Sequence, residues 1–370
     1  MKFEAPRAAL AWRYCKYVTP VLAALYRDSA ATDAVDQLLT RQTCIILQIG
    51  RSGGTLLLRL FDNHPSLNVR PYHYMWLKSD RMHNDWYDDD DIGRLATSLD
   101  ATWRRVVFDA RLHRYRRFGF AKRWGKTAET STIHIDIDCL PYFLSFRKAL
   151  KLLGASSPPY SASDVLTAEL AGFFASWKNY ANRTDPKAAN IIHVSINNYA
   201  HVGRKILSSL DQGKIITILR DPSSWVASYR KAARGEESFD ETVSMYERYL
   251  EDVAIFTGQA DPEKVIFVEF SSLVENTQEV MERLCAFLNV APKQSLRLPT
   301  TNGEEMTPNT SFPDQERKGR IDSNVLRRGQ LLDEAQREVV ASRLDGPYDQ
   351  VIAASRERGL LYRPVALKQG

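Results

Sequence analysis

Short runs of apolar residues along the chain end at turn residues and are each followed by a helical pattern. Four runs are long enough for buried strands: TCIILQI, NIIHVSI, KIITILR and KVIFVEF, at 43–49, 190–196, 214–220 and 264–270. The helical patterns that follow them cover 55–63, 200–210, 221–235 and 272–290. Because near-continuous apolar strands that alternate with helices are typical of parallel sheets, the pattern predicts an α/β fold. We expect three layers, with a central parallel sheet flanked by helices.

The long stretch between the first two predicted strands, about 78–188, lacks this alternation and is interpreted as a mainly helical insertion forming a substrate or lid region. It becomes basic over 102–126, where nine Lys and Arg residues against one Asp leave an excess of eight positive charges. Aromatic residues are interleaved there. Such a stretch suits a solvated helix, an anionic acceptor such as an acidic glycan, nucleic acid or a membrane surface, and the sequence leaves these alternatives open.

The composition is that of an ordinary globular protein, and the formal net charge of +5 suits an anionic ligand without requiring nucleic acid. The cysteines Cys15, Cys44, Cys139 and Cys285 stand far apart, which favours reduced thiols over a disulfide framework. No run approaches the ~20 apolar residues of a membrane span, and charges and Pro20 interrupt the N-terminal segment. We therefore expect a cytoplasmic protein; peripheral membrane contact stays open.

The turn GRSGGT at 50–55 joins the first predicted strand to the first predicted helix. A helix N-terminus presents unpaired N–H groups that attract phosphate or sulfate. Three glycines let the backbone approach such an anion, Ser52 and Thr55 add hydroxyl donors, and Arg51 adds a positive charge. A nucleotide-triphosphate loop would carry a lysine before Thr55, and none is present. The turn predicts an anion site; a plain strand–turn–helix connection is the alternative.

A second pattern, ILRDPSSWVASYRK at 218–231, places Arg220 at the end of a predicted strand and Ser228 eight residues later on the following helix. Asp221 is expected to cap that helix. An arginine at a strand end and a serine on the next helix can hold one phosphate from two sides. The alternative is a solvated arginine and a small packing serine.

Together the two patterns resemble the nucleotide-binding motifs of sulfotransferases that use 3′-phosphoadenosine-5′-phosphosulfate (PAPS). The first motif of that family holds the 5′-phosphosulfate and the second the 3′-phosphate; Gly54 here replaces a commoner threonine. The resemblance covers about 41–75 and 190–340, and it implies a P-loop-like fold that requires no metal. The cofactor-binding residues it implies are Arg51, Ser52, Gly53, Gly54, Thr55 and Leu56, then Arg220 and Ser228, then Arg317, Lys318 and Gly319 in a later loop.

The resemblance also implies the activity, which is in-line transfer of a sulfuryl group from PAPS to a hydroxyl or amine of an acceptor. A glycan, a lipid headgroup or a small metabolite would be such an acceptor, an anionic one included, and no nucleic-acid partner is expected. Arg51 would stabilise the leaving oxygens. His73 and His193 are the candidate general bases, with Ser195 as an alternative to His193 in the same strand.

The predicted organisation is a sulfotransferase domain at 41–340, preceded by an N-terminal helical segment at 1–40 and followed by a C-terminal helix and tail at 341–370. The oligomeric state stays open. Two other classes of function remain alternatives: a P-loop kinase or NTPase in which Asp221 holds magnesium, and a non-catalytic protein that binds anions or nucleic acid. The missing lysine argues against the first.

Overall fold

The computed structural model describes residues 34–73, 139–154, 161–195, 199–233, 237–305 and 319–362. Its centre is a sheet of five strands: β1 (Thr43–Gln48), β2 (Leu67–His73), β3 (Ala189–Ser195), β4 (Gly213–Leu219) and β5 (Val265–Glu269). The strand order is β2-β3-β1-β4-β5, and every neighbouring pair is parallel. The predicted α/β fold with a central parallel sheet is therefore confirmed.

Helices cover both faces of this sheet. The α-helices of the described residues are α1 (Ala34–Leu38), α2 (Gly54–Phe61), α3 (Cys139–Leu152), α4 (Ala162–Ser176), α5 (Tyr199–Ser209), α6 (Pro222–Ala233), α7 (Phe239–Thr257), α8 (Phe270–Glu275), α9 (Thr277–Leu288), α10 (Glu334–Val340) and α11 (Gly346–Glu357). The 3₁₀ helices are Gln294–Arg297 and Ser323–Leu331, a π-helical turn spans Ala341–Asp345, and β6 (Thr300–Thr301) pairs with β7 (Glu304–Glu305) in a short hairpin.

Alternate residues of each strand enter two separate hydrophobic cores. In β1, Ile45 and Leu47 pack in the core that α4, α5, α6 and α7 cover, whereas Cys44 and Ile46 pack in the core under α2, α8 and α9. Burial on both faces is why these strands are apolar almost without interruption. The result is the three-layer arrangement that the alternation predicts.

The edge strand β2 was not predicted, because its buried residues Asn68 and Arg70 are polar. Asn68 Nδ2 donates to Leu38 O at 2.9 Å and to Asn190 Oδ1 at 3.0 Å. Arg70 Nη1 contacts the two carboxylate oxygens of Glu169 at 2.7 and 2.9 Å. Their partners are distant in sequence, so the apolar pattern alone gives no sign of a strand here.

The other sequence expectations are met in part. The predicted helix at 272–290 is two helices, since Asn276 (φ −123°, ψ 40°) interrupts it between α8 and α9. The basic stretch 102–126 lies outside the described residues, and the domain boundaries at 40 and 340 stay predictions. No helix in the described part of the chain has both the length and the apolar character that crossing a bilayer requires.

Candidate active site

The turn that follows β1 brings the chain into the first turn of α2. Arg51 (φ 72°) and Gly53 (φ 113°) both have left-handed backbone conformations, which glycine adopts without strain. Trp225 Nε1 donates to Gly50 O at 2.8 Å and holds the start of the turn. Gly53 is the N-cap of α2 and has no side chain to accept a hydrogen bond from the first turn. An uncapped helix N-terminus of this kind suits an anion.

Not every predicted donor of this turn points outward. The Leu56 N–H group donates to Gly53 O at 2.9 Å, so it closes the turn itself. Ser52 is fully buried, whereas Thr55 is half-buried in the first turn of α2. Among the residues with described positions, no three His, Cys, Asp or Glu side chains gather into a candidate metal site.

Close neighbours explain the glycines at 53 and 54. A Cβ atom on Gly53 would lie 2.5 Å from two ring carbons of Phe270. A Cβ atom on Gly54 would lie 2.3 Å from His193 Nε2 and 2.5 Å from Gln48 Nε2. Gly54 stands where sulfotransferases more commonly have a threonine. Here the His193 and Gln48 side chains leave no room for a Cβ atom at this position.

Arg220 links the two predicted motifs through its guanidinium group. It follows β4, is 3% exposed, and donates from Nη1 to Arg51 O at 2.8 Å and from Nη2 to Val325 O at 3.0 Å. The group also lies over the Phe270 ring, 4.6 Å from its centroid. Arg220 thus fixes the first loop and the second 3₁₀ helix relative to the end of β4.

Ser228 meets a cation that the sequence analysis did not select. Arg328, in the 3₁₀ helix Ser323–Leu331, donates from Nη1 to Ser228 Oγ at 3.3 Å, and both side chains are buried. The sequence signal was available in the Arg-Arg-Gly run at 327–329. A Cβ on Gly329 would lie 2.9 Å from Ser223 Cβ, so a glycine there lets this segment approach α6 closely.

Of the three later-loop residues predicted to contact the 3′-phosphate, the structure describes only Gly319. Arg317 and Lys318 lie outside the described residues. Gly319 has a left-handed backbone (φ 62°), and a Cβ atom there would lie 2.7 Å from Glu305 Oε2 of the hairpin. The structure therefore places Gly319 beside β7.

Three guanidinium groups give the site a strongly positive character: Arg220 and Arg328 are buried and Arg51 is half-buried. Burial lowers the pKa of Arg51, and burial together with the charges of Arg328 and Arg51 lowers the pKa of Arg220 to about 9. Burial and the charge of Arg51 lower the pKa of Arg328 to about 10. Asp221 and Asp322 only partly oppose these shifts. Because a guanidinium group is not deprotonated in folded proteins, all three stay cationic at neutral pH and repel one another, and a bound anion would relieve that repulsion.

Unused donors accompany this charge. Within the described part of the chain, Arg51 Nε, Arg220 Nε and Ser52 Oγ are buried without a hydrogen-bond partner. A buried polar group without a partner costs on the order of 1–3 kcal/mol, so a ligand with several acceptor oxygens is favoured here. The donor set fits phosphate and sulfate groups.

The candidate bases occupy different places at this edge of the sheet. His193, on β3, is 1% exposed, and its Nε2 lies 3.3 Å from Gln48 Nε2. Ser195 borders the loop, since a Cβ on Gly50 would lie 3.2 Å from Ser195 Oγ. His73 ends β2, where its backbone pairs in register with His193 after an irregularity in the ladder.

Comparison with known proteins identifies the class. Residues 44–293 match the family described as Sulfotransferase family, and because the match covers more than half of the chain, the protein belongs to the sulfotransferase family. A search of curated protein sequences gives no match.

Three solved sulfotransferase structures are among those that are similar to this chain. The domain from the Synechococcus PCC 7002 olefin synthase is 16% identical, with a TM-score of 0.48 and coverage of 88% of this chain and 96% of that one. The domain from the curacin biosynthetic pathway is 17% identical, with a TM-score of 0.43 and coverage of 82% and 97%. A Mycobacterium tuberculosis sulfotransferase is 11% identical, with a TM-score of 0.41 and coverage of 92% and 84%.

Proposed function

We propose that this sulfotransferase transfers a sulfuryl group from PAPS to a hydroxyl or amine of an acceptor. The observation that carries the proposal is the meeting of Arg51, Arg220 and Arg328 around a glycine-rich helix N-terminus. Their neighbouring positive charges and the unused Nε and Oγ donors suit a ligand with more than one phosphate or sulfate group. PAPS supplies an activated sulfuryl group and carries a second anion at its 3′ position.

The two motifs divide the work of binding in this proposal. Arg51, Ser52 and the uncapped N–H groups of α2 are assigned to the 5′-phosphosulfate, where Arg51 stabilises charge on the leaving oxygens. Ser228, Arg328 and Arg220 are assigned to the 3′-phosphate. Because Arg220 also donates to the backbone of the first loop, the two anion positions are held at a fixed separation.

The proton of the acceptor must be taken up by a group at the carboxyl edge of the sheet. His73 ends β2 at that edge, just before the insertion, and imidazole exchanges protons near neutral pH. We assign the base to His73. The insertion at about 78–188, with its basic aromatic stretch, is the proposed acceptor region, for a glycan, lipid headgroup or small metabolite. We also propose that the protein is cytoplasmic and that it does not bind nucleic acid.

A matched pair of arginine variants tests the proposal. Arg328 is buried against Ser228, whereas its neighbour Arg327 is exposed, so Arg328→Met and Arg327→Met remove the same charge from different places. PAPS turnover is followed as release of 3′-phosphoadenosine 5′-phosphate (PAP) with a panel of hydroxyl and amine acceptors. We expect Arg328→Met to raise the KM for PAPS by about tenfold or more, as loss of a charge-assisted contact predicts, and Arg327→Met to leave it near the wild-type value.

Two results would overturn the proposal. One is equal KM values for the two variants. The other is a wild-type protein that hydrolyses ATP with magnesium and does not turn over PAPS, which would favour the kinase or NTPase alternative.

A further inference from the structure

We propose that His193 is a positioning residue that supports the anion-binding loop from beneath, together with Gln48, and that it is not the general base. This inference deepens the proposed function and rests on it. It begins from the buried contact between His193 on β3 and Gln48 on the adjacent strand β1.

The two side chains form a buried polar pair under the loop. His193 and Gln48 are each 1% exposed, and the His193 Nε2 and Gln48 Nε2 atoms lie 3.3 Å apart. The pair stands at the carboxyl ends of β1 and β3, directly below the turn that leads into α2. Hydrogen-bonded polar groups buried in this way fix a single arrangement of their surroundings.

Gly54 closes the contact from above. It begins α2 with an α-helical backbone, so alanine at this position is acceptable to the backbone. The obstruction comes from the side chains, because a Cβ on Gly54 would lie 2.3 Å from His193 Nε2 and 2.5 Å from Gln48 Nε2. Close packing of Gly54 against His193 and Gln48 therefore sets the distance of the α2 N-terminus from the sheet, and with it the positions of the first-turn N–H groups.

This placement is unsuited to proton transfer from an acceptor. A general base must come within hydrogen-bond reach of the proton it removes. The Nε2 edge of His193 faces Gly54 and Gln48, and the residue has almost no exposed surface. His193 is placed to contact the loop and Gln48.

A double-mutant cycle tests the complementarity. Gly54→Ala, His193→Ala and the double variant are compared by PAP affinity in calorimetry and by urea unfolding without ligand. Gly54→Ala alone is expected to weaken PAP binding by about tenfold. His193→Ala is expected to recover part of that loss, because the Gln48 amide, which would also lie 2.5 Å from the added Cβ, can turn into the space that the imidazole leaves. Gly53→Ala is the matched control: its left-handed backbone and its contact with Phe270 are unaffected by His193, so no recovery is expected.

Kinetics separate a positioning role from a base. We expect His193→Asn, which is smaller and keeps a polar group beside Gln48, to raise the KM for PAPS several-fold with kcat within about threefold of wild type. A fall of kcat by two or more orders of magnitude at saturating PAPS would identify His193 as the base and overturn the inference.

The outcomes also separate this inference from the proposed function. If the wild type does not bind PAP, the proposed function fails, and the unfolding cycle still measures coupling between positions 54 and 193. If the wild type binds PAP but the two substitutions act additively in both binding and unfolding, the inference is wrong while the function stands.

Discussion

At the scale of single residues, the site depends on side chains whose partners come from distant parts of the chain. Ser228 and Arg328 are 100 positions apart, yet they share a buried hydrogen bond. Arg220 and Ser228 could be selected as candidate site residues because both belong to one strand–helix unit with a fixed spacing, and their roles stay predictions. The Arg-Arg-Gly run at 327–329 marks Arg328 as a candidate, but its partner on α6 could not be predicted, because no local periodicity relates a residue in a 3₁₀ helix to α6. The loop at 50–55 was predictable, since its glycines and hydroxyls are contiguous.

His64, in the turn after α2, gives a pH-dependent prediction. The Ser66 N–H donates to His64 Nδ1 at 3.2 Å, and Nε2 lies 2.9 Å from Ala291 O, an arrangement that a neutral ring protonated at Nε2 satisfies. Burial lowers the pKa of His64 in the folded protein. The unfolded chain takes up a proton near its ordinary pKa of about 6.5, so the free energy of unfolding falls as pH drops through that value.

We therefore expect the stability advantage of wild type over His64→Gln to be fully present above about pH 6.5 and to shrink as pH falls below that value. Urea unfolding of both proteins across this range measures it. An advantage that stays constant with pH would show that the ring is not held neutral.

At the scale of elements, the strands show which part of the fold a sequence pattern can predict. The strands β1, β3, β4 and β5 are apolar on both faces, and all were predicted within one or two residues of their bounds. The strand β2 was missed because Asn68 and Arg70 break the apolar pattern and are satisfied by α1, β3 and α4. Such compensation depends on tertiary contacts, which no local window contains.

The β6–β7 hairpin is attached to the end of α2 by a single carboxylate. Asp62 Oδ2 accepts from Thr300 Oγ1 at 2.7 Å and from the Gly303 N–H at 2.9 Å. Asp62 is 6% exposed, and burial raises its pKa although these hydrogen bonds oppose the shift. Asn302 (φ 55°) and Gly303 (φ 80°) form the turn, as an Asn-Gly pair commonly does in hairpins.

Asp62→Ala would leave both donors without an acceptor in a buried place, so we expect a loss of about 2 kcal/mol or more in the free energy of unfolding. Asp211→Ala is the control, because its carboxylate is exposed and its contact with Arg41 is long, at 3.8 Å. A change within about 0.5 kcal/mol in the free energy of unfolding is expected there. Chemical denaturation measures both. Equal losses would contradict an anchoring role for Asp62.

At the scale of the whole molecule, the site is a meeting point of segments held at the carboxyl edge of the sheet. The turn after β1, the end of β4 and the 3₁₀ helix Ser323–Leu331 bring Arg51, Arg220 and Arg328 together. Bringing like charges together in a buried place opposes folding. Anion binding should therefore stabilise the entire domain, since it neutralises repulsion among segments from distant parts of the chain.

The most direct test is the unfolding midpoint of the full chain with PAP, with adenosine 5′-phosphosulfate, which lacks the 3′-phosphate, and with ATP and magnesium. The variants are Ser228→Ala and, as control, Ser208→Ala, an exposed serine near the end of α5 whose hydroxyl donates to Lys205 O at 3.0 Å. At about 100 times its dissociation constant, PAP should add ~2.7 kcal/mol of stability to wild type and to the control. We expect this gain to be reduced in Ser228→Ala for PAP and unchanged for adenosine 5′-phosphosulfate. No stabilisation by PAP, or stabilisation only by ATP with magnesium, would contradict the account.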